Sequence, residues 1–420
     1  MSNNDSGGGC FLWIIDFIFG IFRSKRIKKY NMQARGLDEY DSIPINSLFP
    51  IETYNENIII SGGQKSERLY LSEQIIRNAY NASHPVIIIH TANGALEKII
   101  AGAALGTIVS SKSKLFDAFA SFEFNEIYQV VTEVFKEKYD IKPAGRYVLQ
   151  VVYDLLLNMG VAPSFSRFAS CPFFKLNSLI ASRHSSGKIS KSEADKLESL
   201  LITGQTECPK IDAFFSDIKA QIDYITTNEP DSDDVVSVLS AVEENKILCI
   251  DIKSSTNSIL VELIINSLII AMNRGLEFSL MVDDVSLTNN EKLKNILCQK
   301  GNRSNIIVTE DLYSLSSGKD ETFLTLIGEA DKTVLLSHKS NVSSEKWSKY
   351  IGEYDKIEIS SNRTGGWSQS SRWGYTSYDG KTETLKREAK IKPEQISYLA
   401  ANEAIVYDST TNSLMKAIIS

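Results

Sequence analysis

Along the chain, short runs of apolar residues alternate with stretches in which apolar residues recur every three or four positions. Ile58–Ile60 is one such run, and a turn of small residues follows at Ser61, Gly62 and Gly63. Leu69, Leu71, Ile75, Ile76 and Ala79 then stand at helical spacing, and Pro85 introduces a second run, Val86–Ile89. A run apolar at consecutive positions predicts a strand buried on both faces. A helix between two such strands is the repeating unit of a parallel sheet. Asn57–Ile89 therefore reads as strand, glycine turn, helix and strand, and Ala103–Val109 as a further short strand.

From Lys114 to about Asn228 the pattern is helical, with no alternating strand. Apolar spacing predicts helices over Leu115–Phe124, Ile127–Tyr139, Gly145–Met159, Phe173–Ser182, Lys191–Leu201 and Ile211–Thr227. Ser190, with Glu193 three residues on, reads as a reciprocal N-terminal cap. Asn228–Asp234 is a linker. The strand–helix rhythm then returns, with strands at Lys246–Ile252, Glu277–Val282, Asn305–Thr309, Lys332–Ser337 and Lys356–Ser360. Helices fall between them at Ser258–Arg274, Asn290–Gln299, Glu321–Ala330 and Ser344–Ile351. Residues 361–380, rich in Ser, Gly and aromatics, read as a mobile loop. A short helix, Glu394–Ala401, and a closing hairpin, Ala404–Asp408 with Leu414–Ile419, complete the chain. This rhythm implies a doubly wound, mainly parallel α/β sheet with ligands at the strands' carboxyl ends.

The first residues follow neither pattern. Residues 1–9 are polar and glycine-rich and are expected to be disordered. Cys10–Phe22 (CFLWIIDFIFGIF) is apolar and aromatic, and Arg23, Lys25, Arg26, Lys28 and Lys29 follow it. A spanning helix needs about 20 apolar residues; this run is shorter and Asp16 interrupts it. The basic cluster follows the apolar run instead of preceding it, which is not the order of a signal peptide. An anchor lying in the membrane interface fits, and so does a helix packed on a partner or on the body. Residues 30–56 read as a polar leader. The expected organisation is disordered 1–9, membrane-proximal 10–30, a first α/β part 31–113, an all-helical insertion 114–230 and a second α/β part 231–420.

Composition narrows the function only by exclusion. A chain of 420 residues with 43% hydrophobic positions builds a sizeable core and has room for more than one domain. The net charge of -7 excludes polyanion binding by bulk charge, so nucleic acid would need a local basic patch. The five cysteines are scattered, with no Cys-x-x-Cys pair, and indicate neither a zinc site nor a disulfide framework.

Candidate chemistry gathers at two strand ends. A phosphate-binding loop, G-x-x-x-x-G-K-[ST], would sit between the first strand and its helix. Aligned from Gly62, the second glycine is Glu67, the lysine is Arg68 and the hydroxyl is Leu69. The candidate nucleotide-binding set is Gly62, Gly63, Lys65, Ser66 and Arg68. The strand LMVDDV ends in Asp283, which would hold magnesium through water, and Asp284, which would orient an attacking water. The glycine turn is expected beside the carboxyl ends of Leu248–Ile252 and Leu280–Asp283, with Arg68 pointing into the space or pairing with Asp283 or Asp284.

The order of motifs from Asn57 to the end resembles the type IV coupling proteins, the TraG/TraD-type conjugative DNA-transfer ATPases. Asp283-Asp284 stand where that family has Asp-Glu. In GNRSNIIV, Arg303 holds the position of its arginine, and in TEDLYSL, Glu310 holds that of its glutamine. TVLLSHKSNVSSEKWSKYIG and KIKPEQISYLAANEAIV are similar to its later strand and its final helix and strand. The resemblance implies a RecA-like P-loop NTPase core with an all-helical insertion, ATP and magnesium as cofactors, and a homo-oligomeric ring. It also implies other subunits of a secretion- or conjugation-like assembly and DNA as partners, at the cytoplasmic face of the membrane. By the same resemblance Asp283, Asp284, Arg303 and Glu310 are the candidate catalytic residues, with Arg303 completing a neighbour's site.

The departures point the other way. No lysine holds the P-loop position, Lys65 stands three residues early, and Leu69 replaces the magnesium hydroxyl. His90-Thr91-Ala92 replaces an acidic strand end, Asp284 is a methylene shorter than glutamate, and Glu310 puts a charge where a neutral amide would sense phosphate. Together they argue for lost or very slow hydrolysis. Arg363, Arg372, Lys381, Lys386, Arg387, Lys390 and Lys392, interleaved with Trp367, Trp373, Tyr375 and Tyr378, would grip single strands or line a solvated subunit interface. Three readings follow: a membrane-tethered relative that recruits or gates, an active ring ATPase, and an interaction subunit presenting its helical domain.

Overall fold

A computed structural model describes residues 8–44, 54–134, 136–254, 258–287, 290–299, 303–367 and 375–419. The chain divides into two compact units, Asn46–Thr333 and a second formed by Met1–Ile45 with Val334–Ser420. In chain order the elements begin with α1 (Gly8–Arg35), β1 (Leu37–Pro44), β2 (Ile58–Ser61), α2 (Lys65–Asn81), β3 (Val86–His90), α3 (Gly94–Gly102) and β4 (Thr107–Val109). A helical stretch follows: α4 (Phe124–Glu133), α5 (Lys136–Tyr139), α6 (Gly145–Asn158), α7 (Phe165–Ala169), α8 (Leu176–Ser185), α9 (Lys191–Gly204), α10 (Cys208–Ile222) and α11 (Val238–Glu243). Then come β5 (Ile247–Asp251), α12 (Ser258–Asn273), β6 (Phe278–Asp283), α13 (Glu291–Leu297), β7 (Arg303–Thr309), α14 (Leu312–Leu315), α15 (Asp320–Gly328) and β8 (Lys332–Leu335). The last are α16 (Asn341–Ile351), β9 (Glu353–Trp367), β10 (Tyr375–Ala389), α17 (Pro393–Ser397), β11 (Glu403–Asp408) and β12 (Ser413–Ile418).

In the unit Asn46–Thr333 the strands lie in the order β2-β7-β6-β3-β5-β4, each pair parallel. Their apolar runs explain this. Ile58–Ile60, Val86–Ile89, Leu280–Val282 and Ile306–Val308 are all buried, as strands covered by helices on both faces must be. In α2, Arg68, Leu71, Ser72, Ile75, Ile76 and Ala79 are buried, a face at helical spacing. The register sets Ser61 against Thr309 and His90 against both Asp251 and Asp283, so the carboxyl ends come level.

That order fixes the distance between the two halves of the site. Only β7 separates β2 from β6, which puts the glycine turn and Asp283 about 10 Å apart at the usual strand spacing. The expected neighbourhood of the turn with Leu248–Ile252 is corrected, because β7, β6 and β3 stand between β2 and β5.

Between β4 and β5 the described residues are helical around a cluster of phenylalanines. Phe119, Phe165, Phe168 and Phe215 pack with ring centroids 5.5–6.0 Å apart. Leu115–Phe124, expected as a helix, is instead extended and irregular. The backbone N–H groups of Phe116 and Asp117 donate to Ile225 O and Val236 O at 3.1 and 3.0 Å, and Thr227 N–H donates to Phe116 O at 2.9 Å. The buried Asp117 carboxylate accepts from Phe119 N and Phe165 N at 2.9 and 2.8 Å. The apolar spacing that suggested a helix there belongs to Phe116, Phe119 and Phe122 turned into the core.

The second unit holds two corrections. Residues 37–44, within the expected leader, form β1, parallel to β12, which in turn pairs antiparallel with β11. Residues 361–380, expected as a mobile loop, lie largely in an antiparallel ribbon, paired from Glu353↔Ala389 to Trp367↔Tyr375. The side chain of Asn31 in α1 holds the backbone of that ribbon at both groups of Ile357, donating to its O at 3.0 Å and accepting from its N at 2.9 Å. Residues 1–7, within the expected disordered segment, lie outside the described residues, while Gly8 and Gly9 already belong to α1. Among the described residues no helix is long and apolar enough to cross a membrane.

Candidate functional site

The glycine turn leaves β2 in a left-handed backbone, with φ of 99° at Gly62 and 68° at Gly63, conformations that disfavour any other residue. Gly62 N–H donates to Thr309 O at 3.1 Å, which ties the turn to the end of β7. α2 then starts at Lys65. The Glu67 carboxylate accepts from Gln64 N at 2.5 Å, so an anion of the chain itself caps the helix N-terminus, where a phosphate would otherwise be favoured.

Arg68 is buried beneath this turn. Its Nη1 donates to Gly62 O at 3.0 Å and Gly63 O at 2.9 Å, and its Nη2 lies 3.5 Å from Asp284 Oδ2. The other carboxylate oxygen of Asp284 accepts from Glu310 N at 3.0 Å, and Asp284 N–H donates to Val308 O at 2.9 Å. Arg68 therefore cross-links the turn to the loop after β6, and Asp284 links that loop to the end of β7. Gly62, Gly63, Arg68, Asp284 and Glu310 come together in one hydrogen-bonded set.

Asp283 is buried at the centre of the strand ends. Its Oδ2 accepts from Asn93 Nδ2 at 2.5 Å. Burial raises its pKa, and the neighbouring Asp284 adds to the rise; the Asn93 bond, Arg68 and Lys65 oppose it. Asn93 also donates its backbone N–H to His90 Nδ1 at 3.1 Å. His90 is fully buried, and burial lowers its pKa to about 4, with Asp251 opposing and Lys65 contributing. Its Nε2 has no hydrogen-bond partner and stands 3.8 Å from Glu97 Oε1. Asn93 is a site residue that pattern reading missed. Its signal is an Asn-Gly pair just before a helical pattern, the mark of an N-cap, and its side chain accepts from Leu96 N at 3.4 Å.

Lys65 and Ser66 are exposed in the first turn of α2. The Lys65 charge opposes the rise at Asp283 and adds to the lowering at His90, despite its early position in sequence. Arg303 is not brought to the site. It opens β7, at the opposite end from Thr309, and is buried. Its Nη2 donates to Ile296 O at 2.5 Å and Gln299 O at 3.3 Å, closing the end of α13. The assignment of Arg303 to a neighbour's site is corrected on this ground: its guanidinium holds carbonyls of its own chain.

A nucleotide with magnesium does not fit this set as it stands. Arg68 occupies the turn, the Glu67 carboxylate caps the helix, and Leu69 offers magnesium no oxygen. Among the described residues no group of three His, Cys, Asp or Glu is placed to hold a metal ion. In the basic stretch near the C-terminus, Arg387 lies 3.9 Å from Asp355 and Lys392 lies 2.7 Å from Glu388, so part of its charge is met within the chain. Arg372 and Trp373 lie outside the described residues.

No family model matches the sequence, and no curated protein matches it. Solved structures do. The bacterial conjugative coupling protein TrwBdeltaN70, in an unbound form, is 14% identical over 94% of this chain and 91% of its own, with a TM-score of 0.53. Its trigonal form in complex with sulphate gives 0.52 over the same shares, again at 14% identity. The plasmid coupling protein TrwB in complex with ADP and Mg2+ is 14% identical over 94% of this chain and 92% of its own, with a TM-score of 0.52. The likeness spans nearly the whole chain and establishes the fold: a RecA-type α/β core with a large, mainly parallel sheet.

Proposed function

We propose that this protein is a coupling-protein-like subunit of a conjugation or type IV secretion-like assembly that recruits or gates DNA or protein without hydrolysing nucleotide. It would sit at the cytoplasmic face of the membrane, held there by the apolar run and the polybasic stretch that follows it in α1. The observation that carries the reading is the Arg68 guanidinium, which fills the glycine turn and joins it to Asp284. A site built for turnover keeps its phosphate-binding amides and its water-orienting acid available. Here Asp284 is held at both oxygens, by Arg68 and by Glu310 N.

The test is ATP hydrolysis by the purified chain with magnesium, beside an Asp283→Ala variant. The reading expects equal, background rates. A magnesium-dependent rate that collapses in the variant would overturn it and favour the active ring ATPase. The exposed Lys65, whose charge reaches Asp283, is the feature that speaks for that second reading. It would then replace the P-loop ammonium from a position three residues early.

A further inference from the structure

A second polar cleft opens at the carboxyl ends of β4 and β5, with β7, β6 and β3 between it and the strand of the glycine turn. It has a volume of about 660 Å³, and Ser111, Lys114, Asp223, Tyr224, Lys253 and Ser254 line it. In doubly wound sheets the carboxyl ends are where ligands are held, and this one is shaped by fixed groups. The Tyr224 hydroxyl donates to Asp251 O at 2.9 Å, and the Lys253 ammonium stands 5.4 Å from the centre of the Tyr224 ring. Asp251 Oδ1 accepts from Lys253 N at 2.7 Å and from Ala92 N at 2.9 Å, so the acid of this strand end is engaged by two backbone donors.

Lys253 has a φ of 61°, a left-handed backbone that costs a non-glycine residue about 1 kcal/mol or more. Glycine would fit that corner without strain, and a lysine there places an ammonium at the cleft. Across it, Lys114 Nζ lies 3.6 Å from Asp223 Oδ2, with side chains 37% and 56% exposed. A pair so exposed is weak and readily exchanged for a stronger anion.

We propose that this cleft is an anion site that takes the phosphate group of a small phosphate-bearing ligand. Lys114 and Lys253 supply the charge, and the Ser111 and Ser254 hydroxyls supply further polar contacts. Charge-assisted hydrogen bonds to a dianion are the strong ones. A nucleic-acid strand would need cations in series along a groove, whereas here two lysines line one cleft. The site is separate from the glycine turn and does not depend on whether nucleotide is hydrolysed there.

The test is calorimetric titration of the full chain, at low salt, with pyrophosphate and in parallel with a single-stranded oligothymidylate. Pyrophosphate should bind, and Lys114→Ala and Lys253→Gly should each weaken it about tenfold. Lys253→Gly relieves the left-handed backbone, so it folds at least as well as the parent. Lys65→Ala, at the glycine turn, is the arm that shows whether pyrophosphate sits at that turn instead. The proposal is overturned if pyrophosphate fails to bind at millimolar concentration. It is equally overturned if its affinity falls in Lys65→Ala and not in Lys253→Gly, or if the oligonucleotide binds where pyrophosphate does not.

Discussion

Arg68 and Asp284 meet with Nη2 3.5 Å from Oδ2, while the Nη1 of the same guanidinium donates to Gly62 O and Gly63 O. One side chain, on the first turn of α2, thus stands in for what a phosphate does in a working loop: it gives the strand-to-helix turn a charged centre to fold around. The difference is polarity. A phosphate draws backbone N–H groups inward, and a guanidinium draws carbonyls.

Arg68→Ala should therefore weaken the fold. It leaves two turn carbonyls without their donor, a loss of about 2–3 kcal/mol for hydrogen bonds to a charged group. The ion pair adds little, since the Asp284 side chain is 44% exposed. Arg68→Lys should recover only part, because an ammonium cannot span both carbonyls and the carboxylate as the planar fork does. Urea unfolding measures both. An alanine variant as stable as the parent would show that the turn does not need its internal cation.

Asp283 offers a different sign. Burial raises its folded pKa, so its stabilising contribution is present when it is protonated, at low pH, and is lost as pH rises through the folded value. The ionised carboxyl is the form that burial disfavours, so at high pH Asp283→Asn should leave the fold as stable or slightly more so. The gain should shrink as pH falls below the ordinary carboxylate range. Unfolding curves at pH 8 and pH 4 give the comparison; a large loss at pH 8 would mean that the negative charge itself is needed.

Much of this architecture was legible in the sequence, and the reasons differ by element. β2, β3, β6 and β7 announce themselves because a strand covered on both faces must be apolar at successive positions, as Ile58–Ile60 and Val86–Ile89 are. β1 does not, because LDEYDSIP carries three acids and its ladder is supplied by β12, far along the chain. The β9–β10 ribbon hid in residues whose glycines and serines read as loop, although its fifteen cross-strand pairs need no local signal. At the site, Gly62, Gly63 and the two acids could be placed by pattern. The bond from Asn93 to Asp283 joins residues 190 apart, and only the level register of β3 and β6 brings them together. Arg303 failed for a related reason: its position in a motif order says nothing about which end of β7 it occupies.

His90 makes the stability depend on pH. Its folded pKa of about 4 lies below the usual 6.5, so the neutral form is the one the fold accepts. Its contribution is present above the unfolded value, declines as pH falls from 6.5 toward 4, and levels off below, a change on the order of 3 kcal/mol. Asp283 and Glu97, with raised values, work in the opposite sense over the acid end of that window. The His90 part is therefore read by difference from His90→Asn, whose amide oxygen can still accept the Asn93 N–H. The difference between parent and variant should narrow with acidification; a constant difference would place His90 in solvent contact.

The last expectation concerns the membrane. Lys25, Arg26 and Lys29 are exposed along α1, and Phe22 beside them is 65% exposed. Further along the same helix, Asn31 grips Ile357 and Arg35 Nε donates to Lys390 O at 2.7 Å, so the far end of α1 is fixed to its own unit. The helix is thus anchored at one end, and within its basic stretch Arg23 Nε also donates to Glu383 Oε1 at 2.6 Å, while Lys25, Arg26 and Lys29 remain exposed. Each lysine or arginine near an anionic surface contributes about 1 kcal/mol, screened beyond roughly a Debye length. Replacing Lys25, Arg26 and Lys29 by serine should then lower affinity for phosphatidylserine-containing vesicles by about two orders of magnitude at low salt. The substitutions leave Asn31 and Arg35 untouched, so the fold should be kept. Raising the salt should weaken the parent more than the variant, since only the parent carries the screened charges. Equal vesicle binding by the two chains at every salt concentration would remove the basic face of α1 as the membrane contact. The helix would then be better understood as packing on a protein partner.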